Sequence, residues 1–162
     1  MKLFKDYSLH ELNNHTQAQI IMTDMFKHFN QICKLYNLKY WCVGGTLIGA
    51  AIYKGWIPHD ADIDISMLKS DYEKFKKLII SGCHKTMPRF VNNYWFQDET
   101  TDPHYPEKIG KIRYLHAHYK DCVNKEWHNG LQIDIFIYDE KDDGILEPIP
   151  PYYEDDTAQT IR

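Results

Sequence analysis

A chain of 162 residues with a formal net charge of −4 has the size of one domain, and such a chain can bury roughly two thirds of the surface its unfolded form would expose. Apolar residues at 43% and charged residues at 26% describe an ordinary globular protein, with a high aromatic share of 14%. The segment from Asp139 to Arg162 carries eight acids against two bases, or −6, leaving +2 on the remainder; without a basic stripe to gather phosphates, general nucleic-acid binding is not expected.

No apolar run approaches the 18 or so residues that cross a bilayer, so no integral membrane segment is expected. The opening Met1-Lys2-Leu3-Phe4-Lys5-Asp6 is followed by no apolar stretch or small-residue cleavage site, and a cytoplasmic protein without a signal peptide is the default expectation. Cys33, Cys42, Cys83 and Cys122 are too widely spaced for a CxxC pair or a secreted disulfide framework, and read as reduced thiols.

Taken in chain order, Ile20, Ile21, Met25, Phe29, Ile32 and Leu35 recur at helical spacing and predict an amphipathic helix over residues 16–36, ended with help from Asn37. Tyr40-Trp41-Cys42-Val43 reads as a short strand. It stops at Gly44-Gly45-Thr46, where a tight glycine turn leads into a helix over Leu47 to Ile52. After Pro58, Ala61-Asp62-Ile63-Asp64-Ile65 alternates with period two, as a half-buried strand does, so both acids share one face. Ser70 or Asp71 is placed to cap a helix reaching Ile80. The Asn- and Pro-containing stretch 87–107 predicts at most one short strand near Phe90 to Phe96, and Lys111 to Tyr119 predicts another. In Leu131 to Tyr138, Leu131 and three isoleucines take one face while Gln132, Asp134 and Phe136 take the other. Beyond Tyr138, acids and prolines predict an irregular tail, dividing the chain into a catalytic domain over residues 1–138 and a tail over 139–162. The order helix, strand, glycine turn, helix, acidic strand, helix and later strands predicts an α/β (α+β) fold. Its sheet would be mixed and twisted, with helices on one face and antiparallel pairing among the later strands.

The chemistry rests on Asp62-Ile63-Asp64. Two carboxylates at i and i+2 on a strand repel, and a divalent cation with oxygen ligands, Mg2+ or Mn2+, removes that penalty while bridging to substrate phosphates. Acids in a loop or on an exposed strand face are the competing reading. Asp134 lies within an apolar strand and needs a partner if buried, which a cation or a Lys or Arg would supply, unless it stands hydrated at a strand end. Gly44, Gly45 and Thr46 offer backbone amides and a helix start to a nucleotide phosphate, although they match neither the P-loop nor the dinucleotide spacing.

Trp41 to Ala50, followed by Gly55-Trp56-Ile57-Pro58-His59-Asp60-Ala61-Asp62-Ile63-Asp64-Ile65-Ser66-Met67, resembles the signature of the LicD family, which includes fukutin-related proteins. Gln132-Ile133-Asp134-Ile135-Phe136 is similar to its third acidic element. The resemblance implies a nucleotidyltransferase-like fold and transfer of phosphocholine or polyol phosphate from a cytidine-diphosphate-activated donor to a sugar or glycan. It also implies that Gly45 and Thr46 hold phosphate and that Asp62, Asp64 and Asp134 are catalytic and bind metal. Asp60 would orient substrate or bind a second ion. Ile52 stands where the family usually has arginine, His59 where it has tryptophan, and Ala61 where an acid is common.

Lys111 and Arg113 alternate onto one strand face and would meet a pyrophosphate leaving group, or else form a solvated edge. His59, beside Asp60, is a candidate substrate donor, with Tyr53 and Lys54 as further contacts. His116, His118, Cys122 and His128 lack the ligand spacing of a zinc site and read as ordinary residues. Tyr94-Trp95-Phe96 reads as core rather than a stacking platform, and Trp56 as either a pocket wall or a plug. Two other functions fit the same residues: transfer of a nucleoside monophosphate from a triphosphate, and a non-catalytic nucleotide- or metal-binding domain.

Overall fold

The computed structural model describes residues 14–82, 92–118 and 126–151. Helix α1 (Asn14–Leu35) precedes β1 (Trp41–Cys42), α2 (Gly44–Ile48), a π-helical turn (Gly49–Tyr53), β2 (Ile63–Leu68) and α3 (Lys69–Ile80). Strands β3 (Tyr94–Gln97), β4 (Gly110–His118), β5 (Gly130–Glu140) and β6 (Leu146–Pro148) complete the fold. The strands form one sheet of order β1-β2-β5-β4-β3, with β6 added to the end of β5. Among the described strands β2 and β5 run parallel, and β1–β2, β3–β4, β4–β5 and β5–β6 are antiparallel. This is the mixed sheet that the sequence predicts.

Period-two burial explains the layering. Ile63, Ile65 and Met67 of β2 and Leu131, Ile133, Ile135 and Ile137 of β5 are buried with Met22, Met25, Phe29 and Ile32 of α1 and Phe75 and Ile79 of α3. Each such aliphatic side chain contributes roughly 1.5–3 kcal/mol by leaving water. Phe29 meets Phe75 edge to face, their ring centres 5.2 Å apart, and Phe75 meets Phe96 at 5.9 Å, so α1 and α3 share one face of the sheet. The even-numbered residues of β2 and β5 are left to the opposite face, where the acids stand.

Helix α1 ends at Leu35 with the help of Asn37, as expected: Asn37 takes a left-handed φ of 53° while Leu38 N–H donates to the Cys33 carbonyl at 2.8 Å. Three other sequence expectations need adjustment. The helix after the glycine turn is broken. A Cβ on Gly49 would lie 2.5 Å from the Gly55 carbonyl, and this close approach accompanies a wider turn that Lys54 closes at φ 57°. Leu68, not Ser70 or Asp71, stands at the start of α3 and supplies no side-chain cap. Asp71 is buried and accepts from Lys39 N–H at 3.2 Å instead. The last adjustment concerns the tail, because β5 runs on to Glu140 and β6 pairs back on it, with Asp139 opposite Glu147. Residues 152–162 lie outside the described residues.

Tyr94 and Phe96 join the core, as expected of β3. The predicted strand residues 90 and 91 and Tyr119 lie outside the described residues.

Candidate active site

The parallel pairing of β2 with β5 sets Asp64 directly opposite Asp134, and the antiparallel pairing of β4 with β5 sets Lys111 opposite Asp134 on the other side. Asp64, Asp134 and Lys111 therefore form one row across three strands. Asp62 lies two residues upstream of Asp64 on the same face. Oxygen atoms from Asp62, Asp64 and Asp134 all lie within 4.8 Å of one another, a spacing suited to sharing one cation.

The electrostatics are those of a crowded carboxylate cluster. Burial, then the charges of Asp62, Asp134 and Asp60, push the Asp64 carboxyl up to about 7 against the pull of Lys111. Burial raises Asp134 to about 6, although Lys111 opposes it by charge and hydrogen bond. Asp62 is also raised, first by burial and then by Asp60. Lys111 is 4% exposed, and its ammonium meets Glu107 at 3.1 Å and Asp134 Oδ2 at 3.2 Å. The second oxygen, Asp134 Oδ1, is buried and has no hydrogen-bond partner. An orphaned carboxylate oxygen at this depth costs free energy unless something positively charged or hydrogen-donating faces it.

The glycine turn adjoins this cluster. Gly44 has φ +54°, and a Cβ there would stand 2.8 Å from Asp64 Oδ2; a Cβ on Gly45 would stand 2.6 Å from Asp60 Oδ2. Thr46 Oγ1 accepts from the Asp64 backbone N–H at 2.8 Å, tying the turn to the acidic strand. Val43, at the start of α2, supplies no side-chain cap to the first-turn amides. The two glycines thus let the backbone reach the carboxylates. Gly44→Ala should cost about 1 kcal/mol of stability for the left-handed conformation and displace Asp64, lowering turnover along with thermal stability. Equal turnover and an unchanged melting temperature would count against this packing.

The structure gathers Gly44, Gly45, Thr46, Asp60, Asp62, Asp64, Lys111 and Asp134 around one centre. Arg113 is not among them. It is buried rather than on a solvated edge, and its guanidinium donates to Gln97 Oε1 at 2.6 Å, to the Gly130 carbonyl at 2.9 Å and to Gln132 Oε1. His59 is exposed, its ring 6.4 Å from that of His15. Exposed Lys54 donates to the Ala51 carbonyl at 2.7 Å. His116 contacts the Asn92 carbonyl at 3.1 Å, and the His128 ring packs edge-on to Trp95; Cys122 lies outside the described residues. Gln132 and Glu107 went unrecognised in the sequence. Gln132 carried a signal, its period-two match to Asp134, whereas Glu107 lies in a stretch without period.

Beside Gly45 and Asp60 opens a cleft of about 490 Å³ walled by Phe26, Cys42, Trp56 and Ile57. Trp56 both lines this cleft and packs on the core, its indole N–H donating to Thr23 Oγ1 at 2.8 Å.

A mixed sheet with a carboxylate cluster on its open face, bordered by a glycine turn, defines a nucleotidyltransferase-like domain. The LicD/FKTN/FKRP nucleotidyltransferase domain matches residues 37–157, and the chain belongs to that family. The lipopolysaccharide cholinephosphotransferase LicD of Haemophilus influenzae is 29% identical over 126 residues, which cover 76% of this chain and 43% of that protein. Uncharacterized proteins of Rickettsia typhi and Rickettsia prowazekii are 34% and 38% identical over 55 and 47 residues, covering 34% and 29% of this chain and 18% of each relative. The chain thus spans less than half the length of the curated relatives it matches. Ile52 is 71% exposed. Among the described residues no helix is long and apolar enough to cross a membrane.

Proposed function

We propose that this domain transfers a phosphate-linked group of the phosphocholine type from a cytidine-diphosphate-activated donor to a sugar or glycan hydroxyl. Mg2+ or Mn2+ would be held by Asp62, Asp64 and Asp134. The observation that carries the reading is the carboxylate trio, its oxygens within 4.8 Å of one another, together with the unpartnered buried Asp134 Oδ1. Oxygen-only ligands favour Mg2+ or Mn2+ over zinc. The named activity of the Haemophilus relative supports the group transferred.

When bound, such a cation neutralises charge on the donor phosphates. The chain's own residues would do the rest. Amides of Gly44 to Thr46 approach the phosphates, the cleft beside Trp56 seats part of the donor, and a carboxylate of the cluster receives the acceptor's hydroxyl proton. The acceptor oxygen bonds to the phosphorus carrying the transferred group, the phosphoanhydride bond breaks, and cytidine monophosphate leaves. The assay is therefore release of cytidine monophosphate from CDP-choline with Mg2+ present. Release of pyrophosphate from a nucleoside triphosphate instead would assign nucleotidyl transfer, and absence of both products with every acceptor would leave a binding domain.

The raised carboxyls make a second expectation. Asp64 at about 7 and Asp134 at about 6 keep protons in the fold that the unfolded chain has lost, so the metal-free fold should lose stability as pH rises from the ordinary carboxylate range through about 7. A cation replaces those protons. The rise in melting temperature given by Mn2+ should accordingly be larger at pH 8 than at pH 5, and equal shifts at the two pH values would contradict ligation by this cluster.

A further inference from the structure

Resting on that reading of the carboxylates, we infer that Arg113 and Gln132 are positioning residues that hold Asp134 by one oxygen and so reserve the other, Oδ1, for the cation. Donor direction along a buried chain of side chains fixes this arrangement. At its far end, Asp102 Oδ2 accepts from Gln97 Nε2 at 2.8 Å and from His128 N–H at 3.1 Å. Gln97 must then turn its carbonyl oxygen the other way, and Oε1 accepts from Arg113 Nε at 2.6 Å. A guanidinium has donors and no acceptor, so the Gln132 atom facing Arg113 must be the oxygen, Oε1, on which Lys111 also converges at 3.4 Å.

The orientation of the Gln132 amide follows. Its nitrogen points at the acids and donates to Asp134 Oδ2 at 3.2 Å, and on Asp62, which burial and Asp60 push up, hydrogen bonding from Gln132 is a small opposing pull. With Lys111 on the same oxygen at 3.2 Å, Asp134 Oδ2 has two donors while buried Oδ1 has none. A carboxylate gripped on one oxygen cannot rotate freely, and the free oxygen is the ligand. Cross-strand register makes the arrangement possible: Arg113 lies opposite Gln132, one row from Lys111 opposite Asp134. Gly130 completes it. Its carbonyl accepts from Arg113 at 2.9 Å, and a Cβ on it would lie 2.0 Å from the Tyr114 carbonyl, so the strands can close here only around glycine.

The test is Mn2+ affinity, read from the electron paramagnetic resonance signal of free Mn2+, in Gln132→Leu, Arg113→Met and the double variant. Each single change should weaken Mn2+ binding about 10-fold, the lower end for residues behind a metal ligand. Because the two residues act in series, the double variant should lose about 10-fold and not the ~100-fold of independent sites. Where Arg113→Met does not fold, Arg113→Lys takes its place, retaining the charge but not the forked geometry, with an intermediate loss expected. A merely structural role predicts lower melting temperatures with unchanged Mn2+ affinity in the folded protein, and that result overturns the inference.

A metal-independent reading accompanies it. The Gln132 side-chain amide signal, identified by its absence in Gln132→Leu, should shift and exchange faster in Arg113→Met. An unchanged signal overturns the relay. Failure of the wild type to bind Mn2+ would remove the metal reading and with it the reserved role of Oδ1.

Discussion

Replacing Asp64 or Asp134 by asparagine is expected to lower turnover by at least ~100-fold while leaving the protein folded. Asparagine preserves most of the shape but removes a negative charge from a site where electrostatic stabilisation of the transition state is worth a few kcal/mol per key contact. The loss should be seen at saturating donor and across a range of Mg2+ and Mn2+ concentrations. Folding responds differently. Asp64 is held up to about 7 by burial and by three neighbouring acids, so its ionised form opposes the metal-free fold at pH 8. Asp64→Asn should therefore match or exceed the wild type in metal-free stability at pH 8, and the difference should narrow at pH 5, where folded Asp64 is protonated and only the unfolded chain has it ionised. Full turnover by either folded variant, or by wild type after rigorous chelation, would reject a catalytic cation at this trio.

The second large effect is on stability. Lys111→Met removes the ammonium that Glu107 and Asp134 share at 3.1 and 3.2 Å, in a position where Lys111 is 4% exposed. Breaking a buried ion pair by deleting one partner leaves an uncompensated charge and costs roughly 3–5 kcal/mol. The loss should be greatest at pH 8 without metal. As pH falls Asp134 takes up its proton, in the variant at a higher pH than in the wild type because Lys111 no longer pulls it down, and much of the penalty disappears because the neutral carboxyl does not need the ammonium. Asp134→Asn in the Lys111→Met background should restore part of the stability at pH 8. Thermal unfolding at pH 5 and pH 8 decides it: equal losses at both, with no rescue by Asp134→Asn, would mean that Lys111 acts through packing of its aliphatic stem.

Lys111 also shows where sequence reasoning reaches and stops. Its alternation with Arg113 onto one strand face was legible, since side-chain direction in a strand is set by period two alone. Its pairing with Asp134 was not, because that depends on which residue of β4 lies opposite which residue of β5. Arg113 illustrates the same boundary. By sequence it belongs beside Lys111, either at a phosphate or on a solvated edge, yet the network through Gln97, Gly130 and Gln132 takes up its donors inside the sheet. The missed cap of α3 has a comparable cause: Asp71, a good capping residue by type, is taken by Lys39 N–H from a distant part of the chain.

By itself the sequence determined the local facts of this protein. Hydrophobic periodicity set the helices α1 and α3 and the two faces of β2 and β5, and the motif around Asp62, Asp64 and Asp134 set the family. Only the tertiary structure decided that Asp64 and Asp134 stand side by side, that Gly44 and Gly45 lie against Asp64 and Asp60, and that one oxygen of Asp134 is gripped while the other is free. Periodicity is written into neighbouring residues, whereas strand register and hydrogen-bond direction arise from segments tens of residues apart whose alignment is set by packing the whole core.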